Sequence, residues 1–322
     1  MPLIQKSTYP GPPAYQLNGH LQTILPILFY KNPDFTYQRE RVTLPDNDFL
    51  DLDWLSDNNE QLAILTHGLE GNSDRSYVRS MAADLHALNW DILAWNCRSC
   101  SGEMNRALRL YYHGEIEDFE FVIRHALKSR PYKRIVLIGF SMGGAIQLKY
   151  LGVRADNVPK ELTHAISISA PCDISKGVEV LEKPGNWMYR RRFFNSLKEK
   201  VLIKAARFPE VLDASKIDEI QSWREFDRFF SAPINGFKEE QAFYDSASAK
   251  NFMAGIKVPT LLLNALNDPI LSENCYPEAL CKAHPAIFLE TPERGGHLGF
   301  IDRKNGKCWA NKRTIEFMNN RF

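Results

Sequence analysis

One serine of this sequence stands in a setting that favours nucleophilic chemistry. It is Ser141, at the centre of Gly139-Phe-Ser-Met-Gly143. Residues 134–138, which precede this segment, form a short apolar and β-branched run that is typical of a strand buried on both faces. Residues 144–151, which follow it, are predicted to form a helix. A serine on a sharp turn between a buried strand and a helix is a nucleophile elbow, which exposes the hydroxyl for attack.

The glycines around Ser141 have a steric purpose. The turn is so tight that side chains two positions before and after the serine would collide with neighbouring backbone. The serine hydroxyl would then lie at a helix N-terminus, where the partial positive charge stabilises the oxyanion of a tetrahedral intermediate. An ordinary glycine-rich turn is the alternative, because the pattern GxSxG also occurs by chance. The strand–turn–helix context favours the catalytic interpretation.

A serine nucleophile needs a histidine base, and the sequence offers two late in the chain. In hydrolases with this kind of elbow, the chain order is Ser, then Asp or Glu, then His. His284 and His297 are the candidates, and His297 lies in the glycine-rich segment Arg294-Gly-Gly-His-Leu-Gly299. Such a loop permits close backbone approach to the elbow, so we predict that His297 is the base. A purely structural role for His297, or His284 as the base, is the alternative.

Two aspartates could orient that histidine. Asp268 follows the predicted strand of residues 259–264, and Pro269 turns the chain directly after it. Asp173 follows the predicted strand of residues 164–169, a position that some hydrolases of this kind use instead. We predict Asp268, because this placement is the commoner one, with Asp173 as the alternative. The carboxylate would hold the histidine tautomer and stabilise the imidazolium.

An oxyanion hole requires two backbone N–H groups. One should come from the residue after the nucleophile, Met142, and the other from the loop after an early strand. In that loop, residues 66–71, we predict the N–H of Leu69, since the glycines on either side let the chain fold tightly. His67 is predicted to hold the loop by hydrogen bonds, with a direct chemical role as the alternative.

The elements that must position these residues alternate between strands and helices. Strands are predicted at residues 41–44, 49–54, 62–66, 91–95, 134–138, 164–169, 259–264 and 285–290, and helices at 18–28 (broken at Pro26), 76–89, 115–128 and 144–151. An antiparallel hairpin followed by repeated βα units predicts an α/β-hydrolase fold, with a mostly parallel central sheet flanked by helices.

Residues 175–250 interrupt this alternation. They are rich in aromatic and basic residues and lack runs typical of strands. Because connections between sheet elements usually span ~2–6 residues, we predict one hydrolase domain, residues 1–322, with a helical cap inserted at about 175–250. Such a cap would cover the strand ends where α/β ligand sites form. The alternative is a surface elaboration without a role in substrate binding, and Arg190-Arg-Arg192 is expected to be a solvated helix face rather than an anion site.

Composition argues against several other classes of protein. Charged residues make up 25% of the 322 residues and the formal net charge is +1, which indicates no surface for nucleic acid. No apolar run approaches the ~20 residues that a membrane helix needs, and the first ten residues lack an apolar signal segment. We therefore expect a cytoplasmic protein with no integral membrane segment.

The cysteines give no sign of a disulfide framework. Six are scattered along the chain, which predicts reduced thiols. Cys97-Arg-Ser-Cys100 has the CxxC spacing of some metal and redox sites, but no second ligand pair stands at zinc spacing and the context is not thioredoxin-like. No metal or redox site is therefore expected there, and acyl transfer through a serine needs neither a metal nor an organic cofactor.

With these residues in place, nearly the whole chain resembles one branch of the α/β-hydrolase superfamily. This branch comprises the bacterial YheT-like group, plant EMB8-like proteins and eukaryotic ABHD1/ABHD3-type hydrolases. One departure is Ser99, where the family loop usually has glycine. The motifs that match are Asn18-Gly-His-Leu-Gln-Thr23, His67-Gly-Leu-Glu-Gly71, Gly139-Phe-Ser-Met-Gly-Gly144, Cys100-Ser-Gly-Glu103, Asn264-Ala-Leu-Asn-Asp-Pro269 and Gly295-Gly-His297.

The resemblance implies hydrolysis of carboxylic esters, with short- to medium-chain acyl groups expected. Eukaryotic members often carry a membrane anchor, and this sequence resembles the soluble bacterial type. The expected partner is a small ester, which could be lipid-like, and no oligomeric state is predicted. An alcohol acyltransferase or an acylglycerol or phospholipid lipase would use the same residues. A lyase, a cofactor-free oxygenase and a non-catalytic binding protein are more remote alternatives.

Overall fold

A nine-stranded sheet organises the described part of the chain, which is residues 3–29 and 32–320 of the computed structural model. The order across the sheet is β1-β9-β8-β7-β6-β4-β5-β3-β2. Strands β1 and β4 to β9 run parallel, whereas β3 pairs antiparallel with both β5 and β2. The strands are β1 (Leu3–Ile4), β2 (Gln38–Thr43), β3 (Phe49–Leu55), β4 (Gln61–Thr66), β5 (Asp91–Asn96), β6 (Arg134–Phe140), β7 (Leu162–Ile168), β8 (Thr260–Leu263) and β9 (Ile287–Glu290).

Helices cover both faces of this sheet. They are α1 (Gly19–Phe29), α2 (Ser76–His86), α3 (Glu117–Ser129), α4 (Met142–Val153), α5 (Ile174–Leu181), α6 (Trp187–Arg207), α7 (Trp223–Phe226), α8 (Ala232–Ile234), α9 (Glu240–Ala247), α10 (Glu278–Ala283) and α11 (Trp309–Met318). A π-helical turn, Asp227–Ser231, joins α7 to α8. Short 3₁₀ turns occur at Pro184–Asn186, Ala214–Asp218, Ala249–Asn251, Met253–Gly255 and Glu273–Cys275. No helix in the described ranges is long and apolar enough to cross a membrane.

The central strands are apolar along their whole length because both faces of the sheet are buried. In β4, Leu62 and Ile64 point into an apolar cluster with α3, α4 and α10. Ala63 and Leu65 point the other way, into a cluster with α2 and α11. All four side chains are fully buried. A parallel strand covered on both faces therefore reads as a continuous apolar run rather than an alternating one.

Most predicted elements are present, with four differences. The eight predicted strands occur with bounds that shift by at most three residues. Strand β1 was not predicted, since two residues carry no recognisable pattern, and neither α10 nor α11 was predicted. The predicted break of α1 at Pro26 is wrong, because the helix continues to Phe29. Pro26 has no N–H to donate to the Gln22 carbonyl one turn earlier. This carbonyl oxygen lies against Gly299 instead, so closely that a Cβ at Gly299 would be 2.1 Å from it.

The chain between β7 and β8 is helical. Residues 169–259, all of which the structure describes, contain α5 to α9 and no strand. Two apolar clusters hold these helices to one another, one around Phe226 and Phe230 and the other around Trp223 and Tyr244. We call residues 169–259 the helical segment. The predicted domain of residues 1–322 also includes residues 1–2, 30–31 and 321–322, which lie outside the described residues. The first ten residues, which are expected to contain no signal segment, are therefore described only from residue 3.

Candidate active site

The turn between β6 and α4 has the geometry of a nucleophile elbow. Ser141 has φ 52° and ψ −117°, a backbone conformation that L-residues rarely adopt. The glycines beside it are required by contact: a Cβ at Gly139 would lie 2.4 Å from the Gly143 carbonyl oxygen, and a Cβ at Gly143 would lie 2.2 Å from that of Thr66. The Ser141 N–H donates to the Ile168 carbonyl at 2.9 Å, which ties the turn to β7.

The structure brings the three predicted side chains together. Nε2 of His297 lies 2.9 Å from Oγ of Ser141, and Nδ1 of His297 lies 2.8 Å from Oδ2 of Asp268. The Asp268 side chain is fully buried, and its Oδ1 accepts the N–H groups of Ile270 at 2.9 Å and Leu271 at 3.3 Å. We call these three side chains the Ser–His–Asp chain. A carboxylate held in this way fixes Nδ1–H, so Nε2 is left to accept the serine proton.

The alternative acid and base are engaged elsewhere. Asp173 caps α5 and accepts bonds from Lys250 and from Asn274 at 2.7 Å. These bonds hold its pKa below the usual value, although burial opposes the shift. His284 faces the Ala254 carbonyl at 3.2 Å. Neither side chain is hydrogen-bonded to the Ser–His–Asp chain within the described residues.

The loop after β4 is held by His67, as predicted. Nδ1–H of His67 donates to the Gly68 carbonyl at 2.7 Å, and Nε2 accepts the Cys97 N–H at 3.1 Å. Burial lowers the pKa of His67 to about 4. The imidazole is therefore neutral near pH 7, which is the state that can donate at one nitrogen and accept at the other.

Two N–H groups near Ser141 are available for an oxyanion. A Cβ at Gly68 would lie 3.1 Å from Cβ of Ser141, so the loop runs alongside the serine. On either side of Leu69, the Gly68 and Glu70 N–H groups are taken up by tyrosine hydroxyls at 3.1 and 3.0 Å. Within the described residues, the N–H groups of Leu69 and Met142 have no hydrogen-bond partner. Both residues are those predicted for the oxyanion hole.

Helix α1 supports the loops that carry the acid and the base, a role that sequence reasoning missed. Oγ1 of Thr23 accepts the His297 N–H at 2.9 Å. Oε1 of Gln22 accepts the Gly295 N–H at 2.8 Å and Nδ2–H of Asn267 at 2.9 Å. Two polar side chains of one helix thereby position two loops that are distant in the chain. The motif Asn18-Gly-His-Leu-Gln-Thr23 was the available signal. Its Gln and Thr are buried and also hydrogen-bond locally, to the carbonyls of Gln16 at 2.9 Å and Gly19 at 2.7 Å.

A small pocket opens at the serine. Its volume is about 80 Å³, and most of its lining is apolar. His113 lines this pocket as well as His297. Burial lowers the pKa of His113 to about 4, so its imidazole is neutral near pH 7. Helices α5, α6 and α7 of the helical segment contribute part of the wall. The lining residues are Leu69, His113, Ser141, Pro171, Ile174, Gly177, Val178, Leu181, Phe193, Trp223, Ile270 and His297.

The loop after β5 shows how Ser99 is accommodated. Ser99 has φ 61°, the left-handed conformation that favours glycine. Its Oγ bonds to Asn105 through both the side-chain oxygen at 2.5 Å and the backbone N–H at 3.0 Å. Cys97 and Cys100 are free and buried, and burial raises the pKa of both, that of Cys100 to about 11. Neither is therefore a thiolate near pH 7.

Comparison with known proteins agrees with this architecture. A model of the α/β-hydrolase fold matches residues 64–304. YheT of Escherichia coli (strain K12), provisionally described as an esterase, is 31% identical over 88% of this chain and 84% of its own length. Phospholipase ABHD3 of Mus musculus is 28% identical over 94% of this chain and 75% of its own length. The esterase Pf2001 of Pyrococcus furiosus, at 19% identity, covers 89% of this chain and 93% of its own with a TM-score of 0.59. These findings confirm the predicted fold and the predicted branch.

Proposed function

This chain belongs to the α/β-hydrolase family, and we propose that it is a serine esterase that cleaves carboxylic esters through an acyl-enzyme. The observation that carries the proposal is the Ser–His–Asp chain, whose hydrogen bonds run unbroken from Ser141 to Asp268 at the edge of an apolar pocket. A hydroxyl within reach of an imidazole that is itself oriented by a carboxylate is the arrangement that activates serine for acyl transfer.

In the first step, Ser141 attacks the carbonyl carbon of the ester while Nε2 of His297 takes the hydroxyl proton. The carbonyl oxygen becomes an oxyanion, and the N–H groups of Leu69 and Met142 stabilise it, since they give up no other partner to do so. Asp268 stabilises the imidazolium that forms. His297 then gives the proton to the alcohol oxygen as the carbon–oxygen bond breaks, which leaves Ser141 acylated.

In the second step, a water replaces the departed alcohol. His297 takes a proton from this water as the oxygen attacks the acyl carbon, and the same two N–H groups bind the second oxyanion. The proton returns to Oγ of Ser141 as the acyl–serine bond breaks. A carboxylic acid is released, and the chemistry requires neither a metal ion nor an organic cofactor.

We further propose that residues 175–250 act as a cap on a single hydrolase domain. Val178 of α5, Phe193 of α6 and Trp223 of α7 belong to the wall of the pocket at Ser141. A pocket closed by such side chains favours apolar acyl groups of limited length, which supports short- to medium-chain esters as substrates.

A fluorophosphonate probe tests the nucleophile. We expect labelling of the wild type and none of Ser141→Ala, together with a loss of esterase activity of about 10³-fold or more. Ser129→Ala, at the end of α3, is the matched control and should label fully. Undiminished labelling of Ser141→Ala would overturn the elbow assignment, and failure of the folded wild type to label or hydrolyse any ester would favour a non-catalytic binding protein.

The same assay separates hydrolysis from acyl transfer. An esterase yields the free acid as the main product even when a primary alcohol is added, because water deacylates the enzyme. An alcohol acyltransferase would convert most of the acyl groups into the new ester. A lipase would hydrolyse acylglycerol or phospholipid in preference to small esters. The substrates tested therefore include acylglycerols, phospholipids and small esters.

A further inference from the structure

A second cavity adjoins the pocket at Ser141 beside His297. Its volume is about 210 Å³, and it lies between α1, α2 and α6. Phe193, Ile270 and His297 line both this cavity and the pocket at Ser141, so the two spaces are adjacent at the histidine. The rest of the wall is mostly apolar and includes Ile24, Ile27 and Met188. We call this cavity the outer groove.

A third cavity lies between the helical segment and the loops that carry Leu69 and residues 110–113. Its volume is about 60 Å³. It shares Leu69, His113, Ile174 and Trp223 with the pocket at Ser141. Among the described residues that line it, none belongs to the loop of His297. We call this cavity and the pocket at Ser141 together the inner cavities.

The proposed mechanism decides which part of an ester enters which space. His297 must protonate the alcohol oxygen, so the alcohol leaves on the side of His297. The carbonyl oxygen points to the N–H of Leu69, and the acyl chain must then extend on the side away from the histidine. The outer groove contains His297 but not Leu69, whereas the third cavity contains Leu69 but not His297.

We propose that the alcohol part of the substrate occupies the outer groove and that the acyl chain is confined to the inner cavities. The inference rests on the proposed function and specifies its substrate class: esters of short or medium-chain carboxylic acids with long, apolar alcohols.

The sizes of the cavities support this substrate class. The inner cavities measure about 80 and 60 Å³, and a cavity of roughly 150 Å³ in another protein holds one benzene molecule. An acyl chain of about four to eight carbons is therefore the most that these spaces accept. The outer groove is larger and opens beside Leu28 and Met188, whose side chains are 67% and 49% exposed. An apolar alcohol chain can continue from the groove along these side chains.

Two ester series on the wild-type protein test the assignment without any variant. In the first, hexanoate is esterified with methanol, butanol or octanol, and in the second, methyl esters carry acyl chains of four to twelve carbons. We expect kcat/KM to rise at least tenfold from methyl to octyl hexanoate, because each buried methylene can contribute a few-fold and burial of only two of the seven added methylenes gives about tenfold. In the second series, kcat/KM should fall at least tenfold beyond eight acyl carbons. The opposite pair of trends, or flat profiles, would overturn the assignment.

Variants that fill one space at a time locate the two preferences. Ile27→Trp should lower the ratio of octyl to methyl hexanoate turnover at least fivefold. Gly177→Leu should shift the best acyl chain to fewer carbons, since the wall at Gly177 leaves open space for a side chain. Leu88→Trp is the control for adding an indole to an exposed apolar position outside the three cavities. If Ile27→Trp shortened the acyl optimum instead, the two spaces would be exchanged and the proposal wrong.

The outcomes also separate this inference from the proposed function. Hydrolysis of both ester series with reversed preferences leaves the serine esterase standing and overturns only the placement of the alcohol and acyl parts. Absence of hydrolysis in both series by protein that is folded would overturn the serine esterase itself, and the placement with it.

Discussion

The elbow region and the helical segment are held in place by different kinds of contact. At the elbow, backbone touches backbone so closely that a Cβ at Gly143 would lie 2.2 Å from the Thr66 carbonyl oxygen. In the helical segment, a Cβ at Gly177 would meet nothing within 4 Å, although one at Gly255, near the end of the segment, would lie 2.5 Å from the Gly152 carbonyl oxygen. The elbow therefore determines the geometry of the Ser–His–Asp chain and tolerates little change. At Gly177, which lines the pocket at Ser141, there is room for a larger side chain that would change the shape of the pocket.

Buried charged side chains join the two regions. Nζ of Lys200 on α6 lies 2.7 Å from Glu70, next to the predicted oxyanion residue Leu69. Nζ of Lys204, one turn further along α6, donates to the carbonyl of Asn105 at 2.9 Å and to that of Ala107. Burial lowers the pKa of Lys204 to about 8. Polar bonds of this kind fix the register of the helical segment on the hydrolase core more specifically than apolar packing alone.

Among the substitutions that compare the elbow region with the helical segment, we expect the largest effect on kcat at the predicted acid, Asp268. Asp268→Asn should lower kcat by about 10³- to 10⁴-fold, because the amide favours the wrong tautomer of His297. Asp173→Asn, in the helical segment, should keep kcat within about threefold, since Asp173 is bonded to Lys250 and Asn274. Steady-state kinetics on one p-nitrophenyl ester measures both. An inactive Asp173→Asn beside an active Asp268→Asn would place the acid after β7 instead.

A pair of glycine substitutions compares the two regions by stability alone. Gly143→Ala should lower the free energy of unfolding by about 3 kcal/mol or more, because its Cβ has no room against Thr66. Gly177→Ala should raise it by about 0.5–1 kcal/mol, since alanine favours a helix and its Cβ meets open space. Urea unfolding measures both values. Equal effects at the two positions would contradict the contrast between a closely packed elbow and a tolerant helical segment.

The link between the regions is tested at Lys200. Its side chain and that of Glu70 are 14% and 6% exposed, so Lys200→Met should cost about 3–5 kcal/mol of stability by leaving a buried carboxylate without its cation. We expect kcat to fall about tenfold with a smaller change in KM, because Glu70 supports the loop proposed to bind the oxyanion. Adding Glu70→Gln should restore part of the stability.

The control for Lys200→Met lies on the same helix. Lys198 pairs with Asp218, whose side chain is 80% exposed, so Lys198→Met should change stability by at most ~1 kcal/mol. A change as large as that of Lys200→Met would show that loss of any lysine from α6 is destabilising, and the specific link would be wrong.

Because His67 is buried, the free energy of unfolding should depend on pH through this side chain. Burial lowers its pKa from 6.5 to about 4, so its contribution to stability is fully present above pH 6.5 and is lost as the pH falls towards 4. The loss is on the order of 3 kcal/mol. Burial raises the pKa of Asp227 in the helical segment to about 7, which acts in the opposite direction. The contribution of His67 is therefore the difference between wild type and His67→Gln in urea unfolding between pH 7 and 4.5. Identical pH dependence in the two proteins would refute it.

Sequence patterns were sufficient for the elements that carry the Ser–His–Asp chain. A buried strand, a glycine-flanked serine and a late glycine-rich histidine loop are local signals, and the sheet brings them together. The support from α1 could not be predicted, because Thr23 and His297 are 274 residues apart in the chain. The ion pair of Lys200 and Glu70 could not be predicted either, because the two residues are 130 apart in the chain. Which side chains of the helical segment face the serine depends on how its helices pack, and their aromatic residues form apolar clusters as well as pocket walls.

The smallest effect on stability is expected at Ser99, in the loop after β5. Two substitutions at this position distinguish the contribution of backbone strain from that of hydrogen bonding. Ser99→Ala keeps the Cβ in the left-handed conformation but loses the bonds to Asn105, so it should cost about 1 kcal/mol. Ser99→Gly loses the same bonds but relieves roughly 1 kcal/mol of strain, so its stability should lie within about 0.5 kcal/mol of wild type. Urea unfolding of the two variants gives the difference directly. If Ser99→Gly were as unstable as Ser99→Ala, the left-handed backbone would carry no strain, and the glycine usual in the family at this position would need another explanation.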